Sequence, residues 1–234
     1  MAILLVGASG ATGRLLVEEL LNAGQQVKLL IRPGSKVPES WLHNQSITLI
    51  RSDFQPINPE VISGCESVAS CLGHNPTLKG IYGQPRKLVR DTVRLLCEAI
   101  QKTNPQKPVR FVLMGSAGVR NNLLKEPVPF AQQVAIGLIR LLVPPHADNE
   151  QAAAYLSRQA GSSVEWVVVR PDTLTNETKV SRYSLHVSPV RSALFRPGKT
   201  SRINVANFMS RLLTEDVLWE KWKGQMPVIY NEEF

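Results

Sequence analysis

Gly7-Ala8-Ser9-Gly10-Ala11-Thr12-Gly13 stands directly behind an aliphatic run, Ile3-Leu4-Leu5-Val6, and directly ahead of a segment with helical spacing. A strand that turns through glycines into a helix restricts the chain to a narrow set of α/β folds, because the spacing answers one physical demand: backbone must approach a pyrophosphate. Gly7 permits the tight turn, Gly10 removes a Cβ where phosphates come close, and Gly13 lets the helix sit against the strand. The helix start then offers unpaired N–H groups and a positive dipole end to the anion. Gly7, Ser9, Gly10, Ala11, Thr12 and Gly13 are therefore expected to hold a dinucleotide.

The alternation continues along the chain. Strands are expected at Ile3 to Val6, Val27 to Ile31, Ile47 to Ile50, Ser67 to Cys71, Arg110 to Met114, Glu165 to Val169 and Pro227 to Tyr230. Between them, residues 13–23 align Leu16, Leu20 and Leu21 on one helical face, and residues 86–102 align Leu88, Val89, Val93, Leu96 and Ile100. A third helix is expected over residues 147–160, with Ala152, Tyr155 and Leu156 inward and Gly161 as its stop. Strands alternating with helices predict a Rossmann-like, doubly wound parallel sheet with helices on both faces. No linker or repeat divides residues 1–234, so one domain is expected. Its substrate-side elements are placed at about 120–146 and 175–202. Within the first, an apolar amphipathic stretch from Phe130 to Val143 either caps a pocket or covers the sheet.

Arg32 follows the second strand nineteen residues after Gly13, about where such folds read the adenosine ribose. An acidic residue there would accept hydrogen bonds from a ribose 2′-hydroxyl. Arg32, with Lys36 nearby, instead offers donors and charge to a 2′-phosphate, which favours NADP(H).

The chain carries a formal net charge of +8, and residues 178–214 contain no Asp or Glu but seven Lys and Arg, including Arg191. That run is either a solvated basic face or a wall attracting an anionic ligand. No apolar run approaches the roughly 20 residues that span a bilayer, and the start shows no charged leader, so a cytoplasmic protein with no membrane partner is expected. Cys65, Cys71 and Cys97 lack metal-ligand spacing and read as reduced, structural residues. No basic helix interleaved with aromatics suggests nucleic acid, and no metal site is expected.

Taken together, the Gly7 to Gly13 turn, Arg32, Asp53-Phe54, Cys71-Leu72-Gly73, Gly115-Ser116-Ala117, Val168-Val169-Arg170-Pro171 and Ser201-Arg202-Ile203-Asn204-Val205-Ala206 resemble the atypical short-chain dehydrogenase/reductases. Within that group the chain is similar to the NmrA-like and biliverdin/flavin-reductase-like proteins. The resemblance implies that Asp53 and Phe54 border the adenine, that Cys71, Leu72 and Gly73 run under the ribose, and that Pro171 to Thr173 reach the nicotinamide. Ser116 would take the position of the catalytic or substrate-binding serine. Asp172 departs from the glycine common in relatives and adds a side chain beside the nicotinamide.

A second departure concerns the proton. Typical enzymes place Tyr four residues before Lys, one helical turn apart, whereas here Gln159 follows Tyr155. The helix offers His146, Asp148, Asn149 and Tyr155 in its place; Ser116, Tyr155 and Asp148 are carried as catalytic candidates, and Arg120, Phe130 and Arg191 as acceptor contacts. Two functions follow from the resemblance: an NADPH-dependent reductase of a flat or conjugated acceptor (flavin, tetrapyrrole or quinone-like), which the basic run would suit if anionic, or a non-catalytic NADP(H) redox sensor with a protein partner.

Overall fold

Ile3, Leu4, Leu5 and Val6 are all nearly inaccessible to solvent, so the first strand is covered on both faces, as parallel strands require. The computed structural model describes residues 2–74, 77, 82–121, 124, 144–159, 163–193 and 195–232. In chain order its elements are β1 (Ala2–Val6), α1 (Ala11–Asn22), β2 (Gln26–Ile31), α2 (Glu39–Leu42), β3 (Ile47–Arg51), β4 (Cys65–Ser70), α3 (Leu88–Lys102), β5 (Val109–Met114), α4 (Pro144–Ser157) and β6 (Val164–Pro171). They continue with β7 (Thr173–Thr175), β8 (Tyr183–His186), β9 (Lys199–Ser201), α5 (Arg202–Thr214), α6 (Asp216–Trp222) and β10 (Val228–Asn231).

Eight strands form one sheet in the order β3-β2-β1-β4-β5-β6-β10-β8. All neighbours are parallel except β8, which runs antiparallel to β10. The strand period of two then divides the core. Leu4, Val6, Val68, Phe111 and Val168 meet α3 and α4 on one face, while Ile3, Leu5, Ala69, Val112 and Val167 meet α1, α5 and the tryptophans of α6 on the other. The expected Rossmann-like architecture is what forms.

Strand order reverses between β1 and β4, which opens a crevice at the carboxyl ends of those strands. Helix boundaries shift by a few residues from the expected ones. α1 begins at Ala11 with Gly10 as its cap, and α4 begins at Pro144, where proline's missing N–H costs nothing in a first turn. β7, β8 and β9 give no clear alternating signal and emerge only from pairing: β7 with β9, β8 with β10. Phe130 and Gly161 lie outside the described residues.

Candidate functional site

The glycine turn is shaped by contacts that exclude side chains. Gly7 has φ +81°, and a Cβ on it would stand 2.6 Å from the Cys71 carbonyl carbon at the end of β4. A Cβ on Gly13 would come within 2.8 Å of the Gly7 carbonyl carbon and closer still to its oxygen. The turn is closed by the Gly10 N–H donating to Gly7 O, and the helix by Arg14 N–H donating to Gly10 O. Gly10 supplies no capping side chain, and the first turn holds no acidic residue. The N–H groups of Ala11, Thr12 and Gly13 therefore lack intrahelical acceptors, and the positive end of α1 is uncompensated. Open N–H groups at a helix start of this kind suit an anion.

Beside it the structure gathers cations. Arg32 is exposed just beyond β2. Arg51, whose strand position pairs with Ile31, donates from Nη1 to the carbonyls of Pro33 (2.8 Å) and Ser35 (3.2 Å). Arg14 donates from Nε to Ser9 O and from Nη2 to Lys36 O. Three guanidiniums and Lys36 thus surround the loop after β2, and no Asp or Glu occupies residues 30–36. Sequence reasoning found Arg32 but missed Arg14 and Arg51, which reach this corner only through helix orientation and strand register. Asp53 is exposed nearby, whereas the Phe54 ring sits in the core with Leu4 and Val6 on a left-handed backbone, φ +62°.

The crevice floor is the end of β4. Cys71 N–H donates to Val6 O, and burial pushes its thiol up to about 12, too high for a reactive thiolate. Burial does the same to Cys97, which also feels Glu98; all three cysteines are free and buried. Past Leu72 and Gly73, His74 Nε2 lies 2.8 Å from Asp148 Oδ2. The Asp148 carboxylate, itself 1% exposed, also accepts the N–H groups of Val89 and Arg90. It joins the loop after β4 to the starts of α3 and α4. With its oxygens engaged in this way, Asp148→Ala should lower stability by about 2 to 4 kcal/mol, since it strips a helix start of its acceptor. Chemical denaturation would show it; an unchanged midpoint would remove Asp148 from this role.

Ser116 follows β5 on a turn held by the Ala117 N–H donating to Pro171 O at 2.8 Å. Its Oγ accepts the Gly118 N–H at 3.2 Å, which leaves the hydroxyl hydrogen to donate elsewhere. His146, at the start of α4, presses its ring against Gly118. A Cβ there would meet His146 Cε1 at 3.2 Å, His146 Nδ1 at 3.6 Å and Ser116 Oγ at 3.7 Å. His146 Nε2 lies 3.5 Å from Glu150 Oε1. Tyr155, two to three turns further along α4, instead turns toward α3; burial raises its phenol, with Cys97 and Glu98 adding to the effect.

Two further groups frame the opening. Arg170 is fully buried and donates to Met226 O, Val119 O and Val187 O. Asp172 accepts from the N–H groups of Thr173 and Gly198, so its carboxylate closes the connection that leaves β6 and returns at β9. Pro171 is buried between them, and Thr173, Arg120 and Arg191 are exposed.

A family model described as NAD(P)H-binding matches residues 7–216. The chain belongs to the NAD(P)H-binding family. Solved structures with the same fold include the anaerobillin reductase ChuY from Escherichia coli O157:H7, at 16% identity, TM-score 0.69, and coverage of 100% of this chain and 98% of that one. A short-chain dehydrogenase/reductase from Veillonella parvula in complex with NADP matches at 16% identity and TM-score 0.68, covering 98% and 94%. A provisionally named NADH-flavin reductase from Streptococcus pneumoniae matches at 18% and 0.68, covering 99% and 100%. No curated protein matches the sequence.

The uncapped start of α1 and the turn after β5 both lie at the carboxyl ends of parallel strands of one sheet. The structure places Ser116 and His146, one of four residues that the sequence offered on its helix, both beside Gly118. It does not bring Tyr155 to Ser116. His146 carried no distinguishing signal, because its neighbour Gly118 is 28 residues away. Among the described residues no helix is long and apolar enough to cross a membrane, and no group of three His, Cys, Asp or Glu could hold a metal ion.

Proposed function

We propose that the protein is an NADPH-dependent reductase that delivers hydride to a flat or conjugated acceptor of flavin, tetrapyrrole or quinone type. The observation that carries the reading is the junction of the uncapped α1 cradle, the arginine corner after β2 and the Ser116 turn along one sheet edge. NADPH supplies the hydride from its nicotinamide. The chain's part is to orient. The N–H groups of Ala11, Thr12 and Gly13 hold the pyrophosphate, Arg32 meets the 2′-phosphate, and Arg14 and Arg51 fix the loop that carries Arg32. Ser116 donates a hydrogen bond to the acceptor, and His146 with Glu150 is the adjacent pair able to carry a proton. An acceptor whose reduced form takes its proton from a weak acid or water does not need a Tyr and Lys dyad.

Arg32→Ala is the test of cofactor choice. A hydrogen bond to a charged group contributes roughly 1.5 to 3 kcal/mol, so the variant should lose about ten- to a hundredfold in NADPH affinity and little in NADH affinity. Calorimetric titration with both cofactors measures it, and equal wild-type affinity for the two refutes the assignment. Reductase activity is tested by NADPH consumption with flavins, linear tetrapyrroles and quinones. Tight NADPH binding with no turnover on any of them supports the second reading, a redox sensor, which the orientation of Tyr155 away from Ser116 equally suits.

A further inference from the structure

Eight large hydrophobic side chains are exposed among the described residues. Three of them, Val187, Val190 and Phe195, fall within nine residues of one another in the connection from β8 to β9. Phe195 is 67% exposed and Val190 60%, which is open solvent contact for side chains of this kind. The same connection exposes Arg191 and Arg196, and Arg182 just before β8 and Arg120 after β5 are exposed as well. Residues 178–214 hold no Asp or Glu, and the two acids that precede them, Asp172 and Glu177, are engaged internally. Asp172 accepts from Thr173 and Gly198, and Glu177 accepts from Asn231 Nδ2 at 2.9 Å and from Thr175.

This connection meets the turn after β5 in space. Ala193 packs on Ala117, Val228 and Tyr230, and Arg170 ties Val119 O to Val187 O. The turn after β5 and the loop at 187–196 therefore form one lip beside Ser116.

Exposed apolar residues scattered singly need no explanation, but three large ones within nine residues, set among exposed arginines, do. A soluble anionic ligand would account for the arginines and leave Phe195, Val190 and Val187 in water. An anionic lipid surface accounts for both: the cations meet headgroups while the apolar side chains enter the boundary of the acyl region. We propose that this lip docks on an anionic bilayer surface. Docking of this kind needs no spanning helix. It turns the mouth of the crevice toward the lipid, where an acceptor dissolved in the membrane has the shortest path to Ser116.

The test is sedimentation of the full chain with phosphatidylcholine vesicles, with and without a third of phosphatidylglycerol. Binding is expected to the anionic vesicles and to weaken with salt. Val190→Ser with Phe195→Ser leaves the charge unchanged and should lower partitioning at least about tenfold, with NADPH affinity as the check that the variant is folded. Arg182→Glu with Arg196→Glu should lower it at least as much. No sedimentation with anionic vesicles at low salt overturns the proposal and leaves an acidic protein surface as the occupant. Equal binding by the Val190 and Phe195 variant also overturns it, by reducing the effect to diffuse attraction. None of these outcomes depends on turnover, so they stand apart from the reductase reading.

Discussion

Gly13→Ala should abolish measurable NADPH binding. The added Cβ would overlap the Gly7 carbonyl, a backbone group already committed to the Gly10 N–H, so neither partner can rotate away as a side chain would. Relief requires α1 to lift off the end of β1. That moves the N–H groups of Ala11 and Thr12 away from the pyrophosphate, and a shift of this kind should lower affinity by at least about a hundredfold while destabilising the fold by about 1 to 3 kcal/mol. Gly24→Ala is the control, because a Cβ there meets nothing within 4 Å at the far end of α1. Its φ of +70° strains an alanine by about 1 kcal/mol, so the fold is weakened while affinity should match the wild type. Calorimetry on the two variants reads the difference. NADPH binding by Gly13→Ala within a few-fold of wild type would show that the anion does not sit on this helix start.

The second large effect is expected from Arg170. Its guanidinium donates to Met226 O at 2.7 Å, Val119 O at 2.9 Å and Val187 O at 3.1 Å, and joins the end of β6 to the approach to β10, the Ser116 turn and the lip after β8. Arg170→Met keeps much of the volume but strips the three carbonyls of these donors. Buried acceptors left without partners should destabilise the protein by about 3 to 5 kcal/mol. For a chain of this size that corresponds to a fall in melting temperature of about 10 to 15 °C. Arg170→Lys should recover only part of the loss, since a single ammonium cannot reproduce the fork that reaches three separate segments. Scanning calorimetry on both variants decides it. A Met variant within about 1 kcal/mol of wild type would mean that water or backbone motion replaces the clamp.

The layered fold and the cofactor cradle were legible because their signals are local. Ile3 to Val6 followed by Gly7 to Gly13 specifies strand, turn and helix within a dozen residues, and the apolar faces of α1 and α3 recur at helical spacing. β8 was not legible. Tyr183-Ser184-Leu185-His186 is half-buried throughout, and becomes a strand only because the edge of β10 is there to pair with it. α5 was visible only through its resemblance to a late helix. Its basic residues drew attention to charge, while Val205, Phe208, Met209 and Leu212 pack against the sheet.

By itself the sequence determined the Rossmann-like class, the glycine turn that joins β1 to α1 and the placing of Arg32 after the second strand, because each depends on residues close in the chain whose geometry is set by backbone sterics and helical period. The tertiary structure alone decided which side chains share a site. Arg51 reaches the Arg32 loop through the register of β3 on β2, and Asp148 meets His74, Val89 and Arg90 across 58 residues or more. His146 and Ser116 become neighbours of Gly118 only in the folded chain. Side-chain hydrogen bonds reach about 3 Å, and positions so far apart in the chain come that close only once the sheet and its two helical layers have packed.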